Sequence, residues 1–117
     1  MHTRPPVAVP ARLVIQDLIV GRGALAERGD DVVMHYVGKL LDGTQFDSSR
    51  SRRDPLGFSL GAGDLIKGLD QGVEGMRVGG MRKLTIPAEL AYGEQGCGGV
   101  IPPGATLVFD VELLEVA

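Results

Sequence analysis

The sequence predicts an α+β fold of about five strands and one short helix that covers one face of the sheet. Three observations carry this. Leu107, Phe109, Val111 and Leu113 alternate with Val108, Asp110, Glu112 and Leu114, as in a strand with one apolar face. Leu65, Ile66, Leu69, Val73 and Met76 recur at spacings of three and four, the period of one helix face. Asp42-Gly43 stands between apolar runs, and this dipeptide marks a hairpin because Gly accepts positive φ without steric cost.

Taken in order, residues 1–12 hold three prolines and no period, and read as a mobile tail ahead of a domain over 13–117. Leu13 to Val20 mixes apolar and polar residues as a strand does, ending at Gly21-Arg22-Gly23. Residues 24–31 form a polar connection. Val32 to Leu41 is a second strand, with Met34 and Tyr36 on one side and Val33, His35 and Val37 on the other. Thr44 to Ser48 returns after the hairpin. Residues 49–55 read as a charged loop closed by Pro55, and Gly57 to Leu60 resumes extended structure. The helix falls within 64–76 with Asp64 as N-cap, and Gly68 and Gly72 weaken it by up to about 1 kcal/mol each relative to Ala. It therefore has to be held by packing. Met81–Ile86 is a strand ended by Pro87, Ala88–Tyr92 allows one helical turn, and Glu94–Pro103 is a Gly-rich loop.

The composition narrows the function. The 117 residues suit one domain, and 44% apolar content is enough for a core despite 18 Gly and 7 Pro. Five aromatic residues and no Trp argue against a stacking platform for single-stranded nucleic acid. A net charge of −3 argues against nucleic-acid binding in general, and Arg50, Arg52 and Arg53 read as a solvated basic loop. The single Cys97 excludes an internal disulfide, leaves no zinc site of normal spacing and suits a reducing compartment. Leu13-Val14-Ile15 is broken at once by Gln16 and Asp17, too short for a membrane span. A soluble, cytoplasmic protein is expected.

Conventional catalytic groups are scarce. Gly21-Arg22-Gly23-Ala24-Leu25-Ala26 matches a dinucleotide fingerprint, but Gly29-Asp30-Asp31 breaks the chain where a long helix must follow. A nucleotide site is the distant reading. Gly96-Cys97-Gly98-Gly99 lacks the Lys and Ser/Thr of a phosphate loop. His2 lies in the tail, and His35 alternates away from Tyr36, so neither pairs with Cys97 as a base. Asp30-Asp31 falls in a turn and Asp110 and Glu112 on an outer strand face. The chemistry is expected to need no metal, cofactor or nucleophile.

The remaining motifs fit together. Val33-Met34-His35-Tyr36-Val37-Gly38 is followed by Asp42-Gly43-Thr44-Gln45-Phe46-Asp47-Ser48-Ser49-Arg50 and Leu65-Ile66-Lys67-Gly68-Leu69. Val78-Gly79-Gly80-Met81-Arg82-Lys83-Leu84-Thr85-Ile86-Pro87, Ala91-Tyr92-Gly93, Ile101-Pro102-Pro103-Gly104 and Val108-Phe109-Asp110-Val111-Glu112-Leu113 complete the series. In this order, from about Leu13 to Val116, the chain resembles the FKBP family of peptidyl-prolyl cis-trans isomerases. The resemblance implies a twisted antiparallel sheet of five to six strands wrapped over one short α-helix, with a pocket between them. It implies acceleration of Xaa-Pro rotation in folding chains by desolvation and hydrogen bonding.

By position, Tyr36, Asp47, Tyr92 and Phe109 would act on the prolyl bond. Phe46, Arg52, Leu56, Leu65, Ile66, Leu69, Cys97, Val100 and Ile101 would hold substrate. Within this set Tyr36, Phe46 and Phe109 would be aromatic walls, Leu69 the floor, and Tyr92 and Ile101 the mouth. The Tyr92 hydroxyl and the Ile66 N–H would donate to ligand carbonyls, and Tyr36 and Arg52 would support Asp47. Implied partners are proline-containing polypeptides and macrolides such as tacrolimus or rapamycin, bound by a monomer. Two positions depart from the family: Leu69 stands where many members carry Trp, and Cys97 where several carry His. Leu69 motivates the alternative of a proline- or macrolide-binding module with weak turnover.

Overall fold

The longest strand organises the molecule. In the computed structural model, which describes residues 12–117, β2 (Asp31–Leu40) buries Val32, Met34 and Tyr36 and leaves Val33, His35 and Val37 half-covered. That is the alternation expected of a strand with one core face. On one side it pairs antiparallel along its length with β6 (Leu107–Val116), from Val32↔Val116 to Leu40↔Leu107. β5 (Met81–Ile86) pairs with β6, and β1 (Val14–Ile19) pairs with β5. The other side of β2 is shared. β3 (Gln45–Ser48) meets Val37 to Lys39, and β4 (Leu56–Ser59) meets Asp31 to Met34. The result is a six-stranded antiparallel sheet in the order β1-β5-β6-β2-β3, with β4 also on β2. Apart from Arg12, the tail expected over residues 1–12 lies outside the described residues.

The Asp42-Gly43 turn forms as its chemistry requires. Gly43 has φ +91°, the Leu40 N–H donates to the Thr44 carbonyl at 2.9 Å, and Asp42 Oδ1 accepts from the Thr44 N–H at 2.8 Å.

The main helix, α2 (Lys67–Val73), is shorter than the spacing suggests, and its predicted cap is not used. Asp64 accepts from the Ser59 N–H at 3.1 Å instead, and Ile66 takes the cap position without a side-chain bond. Leu65 and Ile66 therefore precede the helix. The two weakening glycines have a packing reason. A Cβ on Gly72 would lie 2.5 Å from Leu84 Cδ1, and one on Gly68 would overlap Ile86. The helix thus lies flat on β5 and covers Leu84, Ile86, Leu107, Val111 and Leu113, all fully buried. Arg82 on β5 secures its far end by donating to the carbonyls of Gly72 at 3.0 Å and Glu74 at 2.9 Å.

Residues 49–55 are not simply a charged loop. Ser49–Arg52 forms one helical turn, α1, capped by the Ser48 hydroxyl, which accepts from the Ser51 N–H at 3.1 Å. The basic side chains are also not merely solvated: Arg50 pairs with Glu112 and Arg52 with Asp47, which leaves Arg53 in the left-handed region at φ 54°. The glycine fingerprint at 21–26 has a structural use. Cβ atoms at Gly21 and Gly23 would strike Val78, and the Gly23 N–H donates to the Val78 carbonyl at 3.1 Å. No helix follows before β2, so the nucleotide reading falls.

Candidate functional site

Three aromatic rings converge where β2, β3 and β6 meet. Phe109 lies opposite Gly38 in the ladder, and its ring meets Phe46 edge-on, centroids 5.6 Å apart with planes at 85°. Tyr36 tilts against the same ring at 6.0 Å. These separations are the favourable aromatic ones. Gly38 makes the cluster fit, because a Cβ there would lie 2.7 Å from Phe46 Cζ and 2.8 Å from Phe109 Cε1. A core-facing glycine inside an apolar strand was the available signal for this close approach.

A polar edge flanks the rings. The Tyr36 hydroxyl donates to Asp47 Oδ2 at 2.7 Å, and Arg52 Nη2 donates to the Tyr36 oxygen at 3.0 Å. Arg52 also pairs with Asp47, its guanidinium 5.9 Å from the Tyr36 ring centroid. The Ser48 N–H donates to Asp47 Oδ1 at 2.8 Å. Burial, then the Asp47 hydrogen bond, hold the Tyr36 phenol above its ordinary pKa. At Asp47 burial works upward, but the hydrogen bonds from Tyr36 and Arg52 outweigh it and hold the carboxyl below the usual range. At neutral pH the pair is therefore a phenol donor on a carboxylate.

The opposite wall comes from β4 and the segment entering α2. Tyr36, Phe46, Asp47, Leu56, Gly63, Asp64, Leu65, Ile66, Leu69, Tyr92 and Phe109 line one groove of about 430 Å³. That volume lies within the range of small-molecule pockets. Leu69, almost fully buried, forms the floor, and Tyr92 stands 38% exposed at the rim. Burial raises the Tyr92 pKa, and no hydrogen bond contributes to that shift. Among the described residues the Ile66 N–H donates to no backbone carbonyl, whereas its carbonyl accepts from Leu69 and Asp70 and starts α2. Ile66 and Tyr92 thus line the groove, and among the described residues neither the Ile66 N–H nor the Tyr92 hydroxyl has a protein partner.

The other expected residues lie apart from this lining. Arg52 reaches the site only through Tyr36 and Asp47. Cys97 is a free, exposed thiol, and Val100 is 58% exposed on the same loop. Ile101 is buried in the core rather than standing at the mouth; its N–H donates to the Cys97 carbonyl at 3.1 Å and its carbonyl accepts from the Cys97 N–H at 2.8 Å. Gly63 and Asp64 join the lining without having been expected there. His35 sits on the far face of β2, its Nδ1 2.8 Å from Ser49 Oγ, so among the described residues no imidazole lines the groove. The arrangement can enclose an apolar ring and offer hydrogen bonds to carbonyls beside it.

Comparison with known proteins agrees with this fold. The family described as FKBP-type peptidyl-prolyl cis-trans isomerase matches residues 23–114. An FK506-binding protein of Neisseria meningitidis serogroup A is 57% identical over 104 residues, 89% of this chain and 95% of that protein. The Saccharomyces cerevisiae peptidyl-prolyl cis-trans isomerase FPR2 is 54% identical over 111 residues, 94% of this chain and 79% of that one. The crystal structure of AtFKBP13 superposes with a TM-score of 0.84 at 45% identity, covering 93% and 96% of the two chains.

Proposed function

The chain belongs to the FKBP-type peptidyl-prolyl cis-trans isomerase family, and we propose that it turns over Xaa-Pro bonds of protein chains in the groove between Tyr36, Phe46, Leu69 and Phe109. The observation that carries the site is the three-ring cluster lining one groove with Leu69, where Ile66 and Tyr92 add an N–H and a hydroxyl without protein partners among the described residues.

Rotation about a peptide bond meets a barrier of about 18–20 kcal/mol because resonance is lost. Unaided prolyl bonds take roughly tens to hundreds of seconds. The planar amide is strongly dipolar and well solvated, whereas the twisted state has less C–N double-bond character and less charge on oxygen. An apolar groove that strips water from the amide therefore destabilises the ground state more than the transition state. This is differential binding and needs no proton transfer. Tyr36, Phe46 and Phe109 hold the proline ring, Leu69 supports it from below, and the Ile66 N–H and Tyr92 hydroxyl fix the neighbouring carbonyls. Asp47 and Arg52 orient the Tyr36 phenol. A protease-coupled assay on a prolyl tetrapeptide should give a rate above the uncatalysed one, and a rate equal to it would sink the proposal.

A second reading, a proline- or macrolide-binding module with weak turnover, rests on Leu69. An aromatic side chain there would add a large apolar surface beneath the proline. Leu69→Trp is expected to raise kcat/KM several-fold, and an unchanged value would show that the floor does not limit turnover. Macrolides such as tacrolimus or rapamycin suit the same groove, a reading supported by the name FK506-binding protein of the Neisseria relative. The Tyr92 hydroxyl would then donate to the ligand. Tyr92→Phe removes one hydrogen bond worth about 0.5–1.5 kcal/mol, so ligand affinity falls roughly two- to tenfold while Tm holds. A drop in Tm like that of a core truncation would refute the rim placement.

Among the described residues no helix is long and apolar enough to cross a membrane. The exposed, free thiol of Cys97 suits a reducing setting such as the cytoplasm.

A further inference from the structure

The sheet has a gap beside Tyr36. β6 covers one side of β2 throughout. On the other side β3 ends at Val37↔Ser48 and β4 begins at Met34↔Leu56, so His35 and Tyr36 have no strand partner there. Backbone groups buried in such a gap need partners from elsewhere. They find one in a side chain. Ser49, the first residue of α1, is completely buried, and its Oγ accepts the Tyr36 N–H at 2.7 Å and donates to the Tyr36 carbonyl at 3.3 Å. Its third neighbour is His35 Nδ1 at 2.8 Å.

A hydroxyl has one proton to donate and two lone pairs. All three contacts hold together only if Ser49 donates to the Tyr36 carbonyl and accepts from both the Tyr36 N–H and a protonated His35 Nδ1. Ser49 also lies between the residues that orient the Tyr36 phenol, Asp47 before it and Arg52 at the end of the same helical turn. One hydroxyl thus joins the Tyr36 backbone to the segment that holds the Tyr36 side chain.

We infer that Ser49 is a positioning residue for prolyl isomerisation: it splints the break between β3 and β4 and sets the Asp47–Arg52 segment so that the Tyr36 phenol faces the groove. This rests on the proposed role of Tyr36 in that groove. Ser49→Ala leaves both Tyr36 backbone groups unpaired and lets the segment shift. Ser49→Thr keeps the hydroxyl.

The test is kcat/KM on a prolyl tetrapeptide with the full chain, measured below the Tm of every variant. Ser49→Ala is expected to lower kcat/KM roughly fivefold, the size of one net hydrogen bond, while Ser49→Thr stays within about twofold of the parent. In a Tyr36→Phe background the added effect of Ser49→Ala on kcat/KM should shrink to less than about twofold, while its effect on Tm persists. Ser49→Ala with parental kcat/KM and a lower Tm overturns the inference, as does an equal loss in both backgrounds. If Tyr36→Phe alone leaves kcat/KM unchanged, the phenol plays no part in turnover and this inference falls, while the groove keeps its aromatic wall. Should Ser49→Ala not fold, the unsubstituted protein still decides. Side-chain ¹⁵N shifts should show the neutral His35 ring carrying its proton on Nδ1, and the Nε2–H tautomer would contradict the three-contact arrangement.

Discussion

Phe109→Ala is expected to lower folding stability by about 3–5 kcal/mol, the range for truncating a buried aromatic side chain. The ring is 3% exposed and touches both Tyr36 and Phe46, and Gly38 opposite offers no side chain to fill the space. The cavity therefore stays open rather than collapsing. Urea unfolding at constant slope measures the loss directly. The same truncation removes one wall of the groove, so isomerase activity should fall beyond what the unfolded fraction explains. A stability loss under about 1 kcal/mol would place the ring outside the core.

Asp47→Ala should show the opposite balance. Its carboxylate is partly exposed and its pair with Arg52 is worth little to folding, about 0–1 kcal/mol. Its effect on the site is larger, because the Tyr36 hydroxyl loses its acceptor and Arg52 loses the anion that holds it across the ring. A hydrogen bond to a charged group contributes about 1.5–3 kcal/mol, and partial exposure puts this one at the lower end, so kcat/KM should fall roughly tenfold. Tm should move by only a few degrees. Asp47→Asn keeps an acceptor oxygen for Tyr36 and should recover part of the rate. If Asp47→Ala lowered Tm strongly and left kcat/KM unchanged, the carboxylate would be a structural staple and not part of the site.

Where the sequence carried a strong period, it also located the structure. The alternation around Phe109 placed β6 and its buried face, and Asp42-Gly43 placed the β2–β3 turn. The side of β2 that holds Tyr36, and the opposite side that holds His35, followed from period two alone. Local chemistry without a period was less legible. Residues 49–52 carry no apolar repeat, so the turn that α1 makes depends on the Ser48 cap and on where Ser49 is buried, both settled by tertiary contacts. Asp64 has the composition of an N-cap, but the Ser59 N–H competes for it, and α2 starts three residues later. The floor at Leu69 and the walls at Tyr36, Phe46 and Phe109 came from motif resemblance, and the groove brings them together. Ile101 shows the limit of that transfer. Its motif marks the loop, but its side chain is packed into the core, which position in a motif does not reveal.

The central claim is that substrate binds over Leu69, and a structure of the protein with a prolyl tetrapeptide tests it most directly. The account predicts the proline ring between Tyr36, Phe46 and Phe109 above Leu69, with peptide carbonyls accepting from the Ile66 N–H and the Tyr92 hydroxyl. A peptide seated instead along Val33, Phe58 and Glu115, the separate groove beside β4, with the Leu69 site unoccupied, would contradict it.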